Sequence, residues 1–153
     1  MKTKILMVCL GNICRSPLAE GLLKSKLDPQ KFTVDSAGTG SWHIGNSPDS
    51  RSVDVAAKNG LDISDQRGML FKSEFFQEYD HIFVMDSSNL SDVRRLARTE
   101  AEKQKVSLIL DEAPELHQKH VPDPYSGGLK GFDKVYALLD TATDRLAARL
   151  TQS

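Results

Sequence analysis

The chain has 153 residues, 39% hydrophobic and 27% charged, with 20 basic against 21 acidic side chains and a formal charge of -1. This is the size of one ordinary domain, 1–153, able to bury a core without staples, and the composition sets aside disordered or fibrous chains. The near-neutral balance, with no long Lys/Arg run, argues against a nucleic-acid or anionic-membrane surface, so any bound anion must be held locally.

In chain order, "KILMVC" (residues 4 to 9) is a continuous apolar run stopped by Gly11, the pattern of a fully buried parallel strand. The run "ILMVCL" is too short for a signal-peptide core, and no other segment is long enough to insert in a membrane. "PLAEGLLKSKL" follows with helical spacing at Leu18, Leu22, Leu23 and Leu27. "FTVDSAG" (Phe32 to Gly38) alternates as a second strand. "SPDSRSVDVAAKNG" predicts a helix with Pro48 in its first turn and Gly60 after its end. "HIFVMD" (His81 to Asp86) predicts a third strand, Ser87 or Ser88 the cap of a helix through Arg98, and "VSLIL" (Val106 to Leu110) a fourth strand. Phe132, Val135, Tyr136, Leu139, Ala142, Leu146 and Leu150 form the apolar stripe of a last helix. Strands alternating with helices imply a parallel sheet covered on both faces, with ligands bound beyond the carboxyl ends of the strands. The irregular stretches "GTGSWHIGNSP" and "DEAPELHQKHVPDPYSGGLKG" are candidate walls of such a site.

Both cysteines, Cys9 and Cys14, fall in "VCLGNICRSP", where the first strand turns into the first helix. So few cysteines suit a reducing cytoplasm. Arg15 stands where the helix begins, and Pro17 suits a first turn because its missing N–H has no partner to lose there. Gly11 and Asn12 tolerate the left-handed conformations a curled loop requires. A curl of N–H groups at a helix N-terminus cradles an anion, and Arg15 adds a planar fork matched to phosphate oxygens. The same positive surroundings stabilise a thiolate at Cys9, so one cause both binds phosphate and arms a nucleophile. Cleaving an aryl phosphate also needs a proton for the leaving oxygen. Asp123, held extended between Pro122 and Pro124, is the candidate acid.

The stretches "VCLGNICRSP", "DSAGTGSWHIG" and "VPDPY", in this order and across nearly the whole chain, resemble the low-molecular-weight protein tyrosine phosphatases. The resemblance implies an α/β, flavodoxin-like domain with a four-stranded parallel sheet in order 2-1-3-4. It implies that Cys9 forms a phosphocysteine, that Arg15 holds the phosphoryl oxygens and that Asp123 is the general acid that later activates water. Leu10, Gly11, Asn12, Ile13, Cys14 and Ser16 complete the phosphate-binding loop. By the same resemblance Ser36 supports Asn12, the Ser16 hydroxyl assists the Cys9 sulfur, and Trp42 and Tyr125 flank the substrate ring. Tyrosine-phosphorylated proteins are the implied partners, a bacterial tyrosine kinase among them, and no cofactor or metal is implied. Two departures stand out: Ser126 where many members carry a second tyrosine, and Gln66 near the place of a loop-supporting histidine.

Three other readings compete. An arsenate reductase of the thioredoxin-coupled kind relays a disulfide through later cysteines, and none follows Cys14. A phosphoarginine phosphatase has threonine where Ile13 stands. A non-catalytic anion-binding or redox-sensing module would need the loop but not Asp123. Displacement chemistry has no use for Cys14 itself. Five residues from Cys9 in a curled loop, it could approach the ~4.4–6.8 Å Cα separation of a disulfide and act as a resolving thiol. His117 and His120 could share a helix face, as a solvated pair without a metal.

Overall fold

The computed structural model describes residues 2–125 and 128–152. Its centre is β1 (Thr3–Cys9), paired in parallel with β2 (Phe32–Gly38) on one side and β3 (His81–Val84) on the other, with β4 (Val106–Leu108) beyond β3. The order β2-β1-β3-β4 is the one expected from the sequence. A strand with neighbours on both edges and helices on both faces exposes nothing, which is why Ile5 through Val8 are all apolar and fully buried.

The alternation of β1 divides the core. Ile5, Met7 and Cys9 face the layer of α1 (Arg15–Lys24), α2 (Ser50–Lys58) and α6 (Leu129–Gln152). Leu6 and Val8 face α3 (Phe75–Glu78), α4 (Ser87–Arg95) and the aromatic cluster of Phe71, Phe75, Phe76 and Tyr79. The stripe read along α6 packs as expected at Phe132, Val135, Leu139, Ala142, Leu146 and Leu150, whereas Tyr136 is only partly buried at its edge. Each such leucine or phenylalanine contributes ~1.5–3 kcal/mol by leaving water.

Several boundaries differ from expectation. Pro48 precedes α2, because Asp49 caps it by accepting from the Arg51 N–H at 2.9 Å. β3 stops at Val84, since Asp86, and not Ser87 or Ser88, caps α4 by accepting from the Asn89 N–H at 2.9 Å. α4 ends at Arg95 rather than Arg98. Ile109 and Leu110 leave the sheet for a 3-10 turn over Ile109–Glu112. α3 and α5 (Glu100–Gln104) are too short to carry a periodic signature. His117 and His120 share no helix: His117 has φ 51° at the end of a 3-10 turn.

Candidate active site

At the carboxyl end of β1 the chain leaves Cys9 and curls back before α1 starts at Arg15. Asn12 takes φ 58°, a left-handed turn that asparagine tolerates better than most side chains. The chain just past β2 holds the curl: Thr39 N donates to Cys9 O at 3.0 Å and Gly40 N to Leu10 O at 2.9 Å. On its far side Asp49 N donates to Ile13 O at 2.8 Å. The approach is close enough that a Cβ at Gly38 would lie 2.8 Å from Leu10 O and 3.1 Å from Asn12 N, so β2 must end in glycine. The N–H groups of Gly11, Ile13 and Cys14 have no protein acceptor among the described residues. Free N–H groups curled round a helix start make a seat for an anion.

Asn12 is buried beneath the loop and braces it with its backbone N–H and both polar atoms of its side chain. Its backbone N–H donates to Cys9 Sγ at 3.2 Å. Its Nδ2 donates to Ser16 Oγ at 2.8 Å and to Ser36 Oγ at 2.9 Å, and its Oδ1 accepts from Met69 N at 2.8 Å. Ser16 Oγ in turn lies 3.0 Å from Cys9 Sγ. Asn12, Ser16 and Ser36 therefore sit under the cleft and support it, while Cys9 forms its floor.

Arg15 is 3% exposed, a charge that burial would penalise if it were unpaired. One nitrogen, Nη1, donates to Asp86 Oδ2 at 2.7 Å and to Val121 O at 2.9 Å. Its Nε and Nη2 have no protein partner among the described residues, and the side chain lines the cleft, so the guanidinium is pinned at one corner with its remaining donors available there. Burial tends to raise the Asp86 pKa, but the bonds from Arg15 and the Asn89 N–H outweigh it and hold the carboxyl below its ordinary range.

Trp42 and His43 form one wall of the cleft, Asp123 and Tyr125 another. The Trp42 ring lies across Gly40, where any Cβ would collide with it, and the His43 ring edge abuts Gly11, where a Cβ would meet Cδ2 at 3.2 Å. Asp123 is exposed and accepts from Tyr125 N at 3.0 Å, an aspartate turn that sets the loop's direction. Arg51 anchors that loop by donating to Tyr125 O at 2.8 Å while its guanidinium lies over the Tyr125 and Phe132 rings. Asp49 holds Arg51 in an ion pair at 2.9 Å, and the Arg51 side-chain bond keeps its own carboxyl below the usual range.

The family model for low molecular weight phosphotyrosine protein phosphatases matches residues 4–153. The chain belongs to that family. A phosphatase of this name from Schizosaccharomyces pombe is 42% identical over 141 residues, 89% of each chain. The protein tyrosine phosphatase of Entamoeba histolytica, solved with Hepes in the active site, superposes with a TM-score of 0.93 at 37% identity, covering 99% of this chain and 98% of that one. The tyrosine phosphatase Wzb from Escherichia coli K30, in complex with sulphate, superposes at 0.86 with 38% identity, covering 98% and 99%.

In this phosphatase Cys14 is a free, buried thiol, as Cys9 is. Burial, reinforced by Asp49 and by Cys9 itself, pushes the Cys14 thiol up to about 12. Gln66 donates from Nε2 to Pro17 O at 3.1 Å, in the first turn of α1 and away from Asn12. Ser126 lies outside the described residues. The residues that sequence reasoning missed are Glu20, Asp86, Arg51 and His43. Their only trace is a charged or titratable side chain among many, because each reaches the loop from an element separated from it in sequence or, for Glu20, through a turn of helix. Among the described residues no helix is long and apolar enough to cross a membrane.

Proposed function

We propose that this phosphatase hydrolyses phosphotyrosine in proteins through a phosphocysteine at Cys9. The observation that carries the reading is the pairing of a sulfur on the cleft floor with a buried arginine pinned at one corner, Nε and Nη2 unclaimed beside it. The phosphoryl group sits in the loop, two of its oxygens on Arg15 and others on the N–H groups of Gly11, Ile13 and Cys14. Cys9 Sγ attacks phosphorus in line, the P–O bond breaks, and the leaving phenolate takes a proton from Asp123. A water then gives its proton to Asp123 and attacks phosphorus, the P–S bond breaks, and phosphate leaves with the thiolate restored. A long flat ring lying between Trp42 and Tyr125 reaches the floor where a short alkyl ester does not, so phosphotyrosine is preferred over phosphoserine. Ile13 at the cleft wall favours the aryl ester over phosphoarginine. Tyrosine-phosphorylated proteins of a reducing cytoplasm, a bacterial tyrosine kinase among them, are the substrates. When a peroxide oxidises the Cys9 thiolate to a sulfenic acid, the Cys14 thiol attacks the Cys9 sulfur, the S–O bond breaks, water leaves and a disulfide forms.

The test is turnover of a phosphotyrosine peptide beside its phosphoserine counterpart. Cys9→Ser and Arg15→Ala are each expected to abolish hydrolysis, and a rapid quench of the wild type should give a phosphorylated Cys9 peptide. Wild-type-like turnover in either variant, or equal kcat/KM on the two peptides, overturns the reading.

A further inference from the structure

Nothing in the displacement calls for Glu20, yet this carboxylate is 6% exposed on the buried side of α1. Its Oε1 accepts from Ser36 Oγ at 2.6 Å and its Oε2 pairs with Lys24 at 2.8 Å, one helical turn on. An ionised carboxylate only accepts hydrogen bonds, and the backbone N–H of Met69 only donates. Between these two ends the hydrogens of the loop network have one consistent arrangement. Ser36 gives its hydrogen to Glu20 and must accept from Asn12 Nδ2. Met69 requires Asn12 Oδ1, which turns both Nδ2 hydrogens toward Ser36 and Ser16. Ser16 therefore accepts from Asn12, and its own hydrogen is left for Cys9 Sγ at 3.0 Å.

We propose that Glu20 is a positioning residue for the Cys9 sulfur: as the acceptor-only end of the Ser36–Asn12–Ser16 chain, it keeps the Ser16 hydroxyl donating to the thiolate. Without that acceptor the Ser36 hydrogen is free to turn to Asn12. Inversion of the Asn12 amide, which sets its NH2 against the Met69 N–H, is then opposed by Met69 alone, and it draws the Ser16 hydrogen away from sulfur. The inference rests on the phosphatase reading only in taking Cys9 as the nucleophile. Arg15, His43, Cys14, Asp123 and Tyr125 are the titratable groups that share the cleft with the sulfur. Lys24 and the Tyr79–Asp35 pair stand near Glu20.

The sign of the effect separates this role from plain electrostatics. Deleting a buried negative charge would by itself ease ionisation of a nearby thiol, whereas losing the Ser16 donor hinders it. The measurement is the rate of Cys9 carboxymethylation by iodoacetate from pH 5 to pH 10, with the modified cysteine assigned by fragment mass spectrometry. Glu20→Ala should react roughly tenfold more slowly than wild type on the acid limb and converge with it at alkaline pH. Glu20→Gln, which can still accept from Ser36, should restore the wild-type acid limb or exceed it. Ser36→Ala should slow the acid limb as Glu20→Ala does. The double variant should be no slower than either single one, since both remove the same link. If Glu20→Ala fails to fold, Ser36→Ala carries the prediction. Faster or unchanged acid-limb reaction in the alanine variants, slowing in Glu20→Gln equal to that in Glu20→Ala, or additive slowing in the double variant overturns the proposal. Alkylation needs no hydrolysis, so absence of phosphatase turnover in the wild type would refute the functional reading and leave this one to its own test.

Discussion

Asp86 divides its carboxylate between two tasks. Oδ1 caps α4 and Oδ2 holds the buried guanidinium of Arg15, so the helix start and the arginine of the cleft share one side chain. Asp123 differs in being exposed, with one oxygen taken by the Tyr125 N–H. An acid in that position matters in proportion to how badly the leaving group needs a proton. Asp123→Asn should lower kcat by ~10²–10⁴-fold for phenyl phosphate and far less for an activated nitrophenyl ester. A plot of log kcat against leaving-group pKa, steeper in the variant than in the wild type, checks this, and parallel lines would remove Asp123 from the proton transfer. The cysteine, arginine and aspartate that line the cleft were legible because their motifs are local: strand, curl and helix start lie within one short stretch, and two prolines bracket the aspartate. Asp86, Glu20 and Arg51 were not legible, since a carboxylate or guanidinium in a polar stretch looks the same whether it faces water or turns inward. Only the parallel crossovers bring Asp86 and Arg51 to the loop, and a turn of α1 brings Glu20 under it.

At the scale of elements, the end of β2 decides whether the loop can form. Gly38 pairs with Cys9 in register and lets the curl lie directly on the strand. Gly38→Ala places a Cβ against Leu10 O and Asn12, backbone that cannot rotate away as a side-chain tip would. It should cost about 1–3 kcal/mol of stability and displace the loop, lowering kcat/KM beyond what the stability loss explains. Chemical denaturation paired with p-nitrophenyl phosphate turnover measures both, and a variant as active as wild type would mean the strand yields instead. β1, β2 and α6 could be read from their apolar patterns because long buried elements leave a long periodic trace. α3 and α5 leave almost none at four and five residues, and β3 and β4 were overextended because the apolar residues that follow them, Met85 and Ile109, are equally buried outside the ladder.

For the whole molecule, two buried acids set an alkaline limit. Burial pushes the Cys14 thiol from its ordinary 9.0 up to about 12, and burial with the bond to Asp35 pushes Tyr79 up as well. Both groups are raised in the folded state, so the unfolded chain gives up these protons first as pH climbs. Folding is unpenalised below about pH 9 and loses stability through the interval up to about 12. The unfolding midpoint of the wild type should therefore fall between pH 8 and pH 10.5, and Cys14→Ser, with no thiol to titrate, should fall less. Equal slopes would show that Cys14 is not held neutral.

From His117 to Tyr125 the segment carrying Asp123 has no regular secondary structure. Among the described residues its backbone ties to other elements are Val121 N on Met85 O at 2.8 Å, Val121 O on Arg15, and Tyr125 O on Arg51. Two of these three ties end on arginines that face the cleft or flank it, so the segment's resistance to a protease is set by what the arginines are doing. Lys119, exposed just ahead of the first tie, offers trypsin a cutting site there. With vanadate seated on its Nε and Nη2, the Arg15 guanidinium is held on both edges, its tie to Val121 O is reinforced, and cleavage after Lys119 should slow several-fold. In Arg15→Ala the cut should be fast and indifferent to vanadate. The nick rate at one lysine thus becomes a clock for occupancy of a loop a hundred residues earlier in the chain.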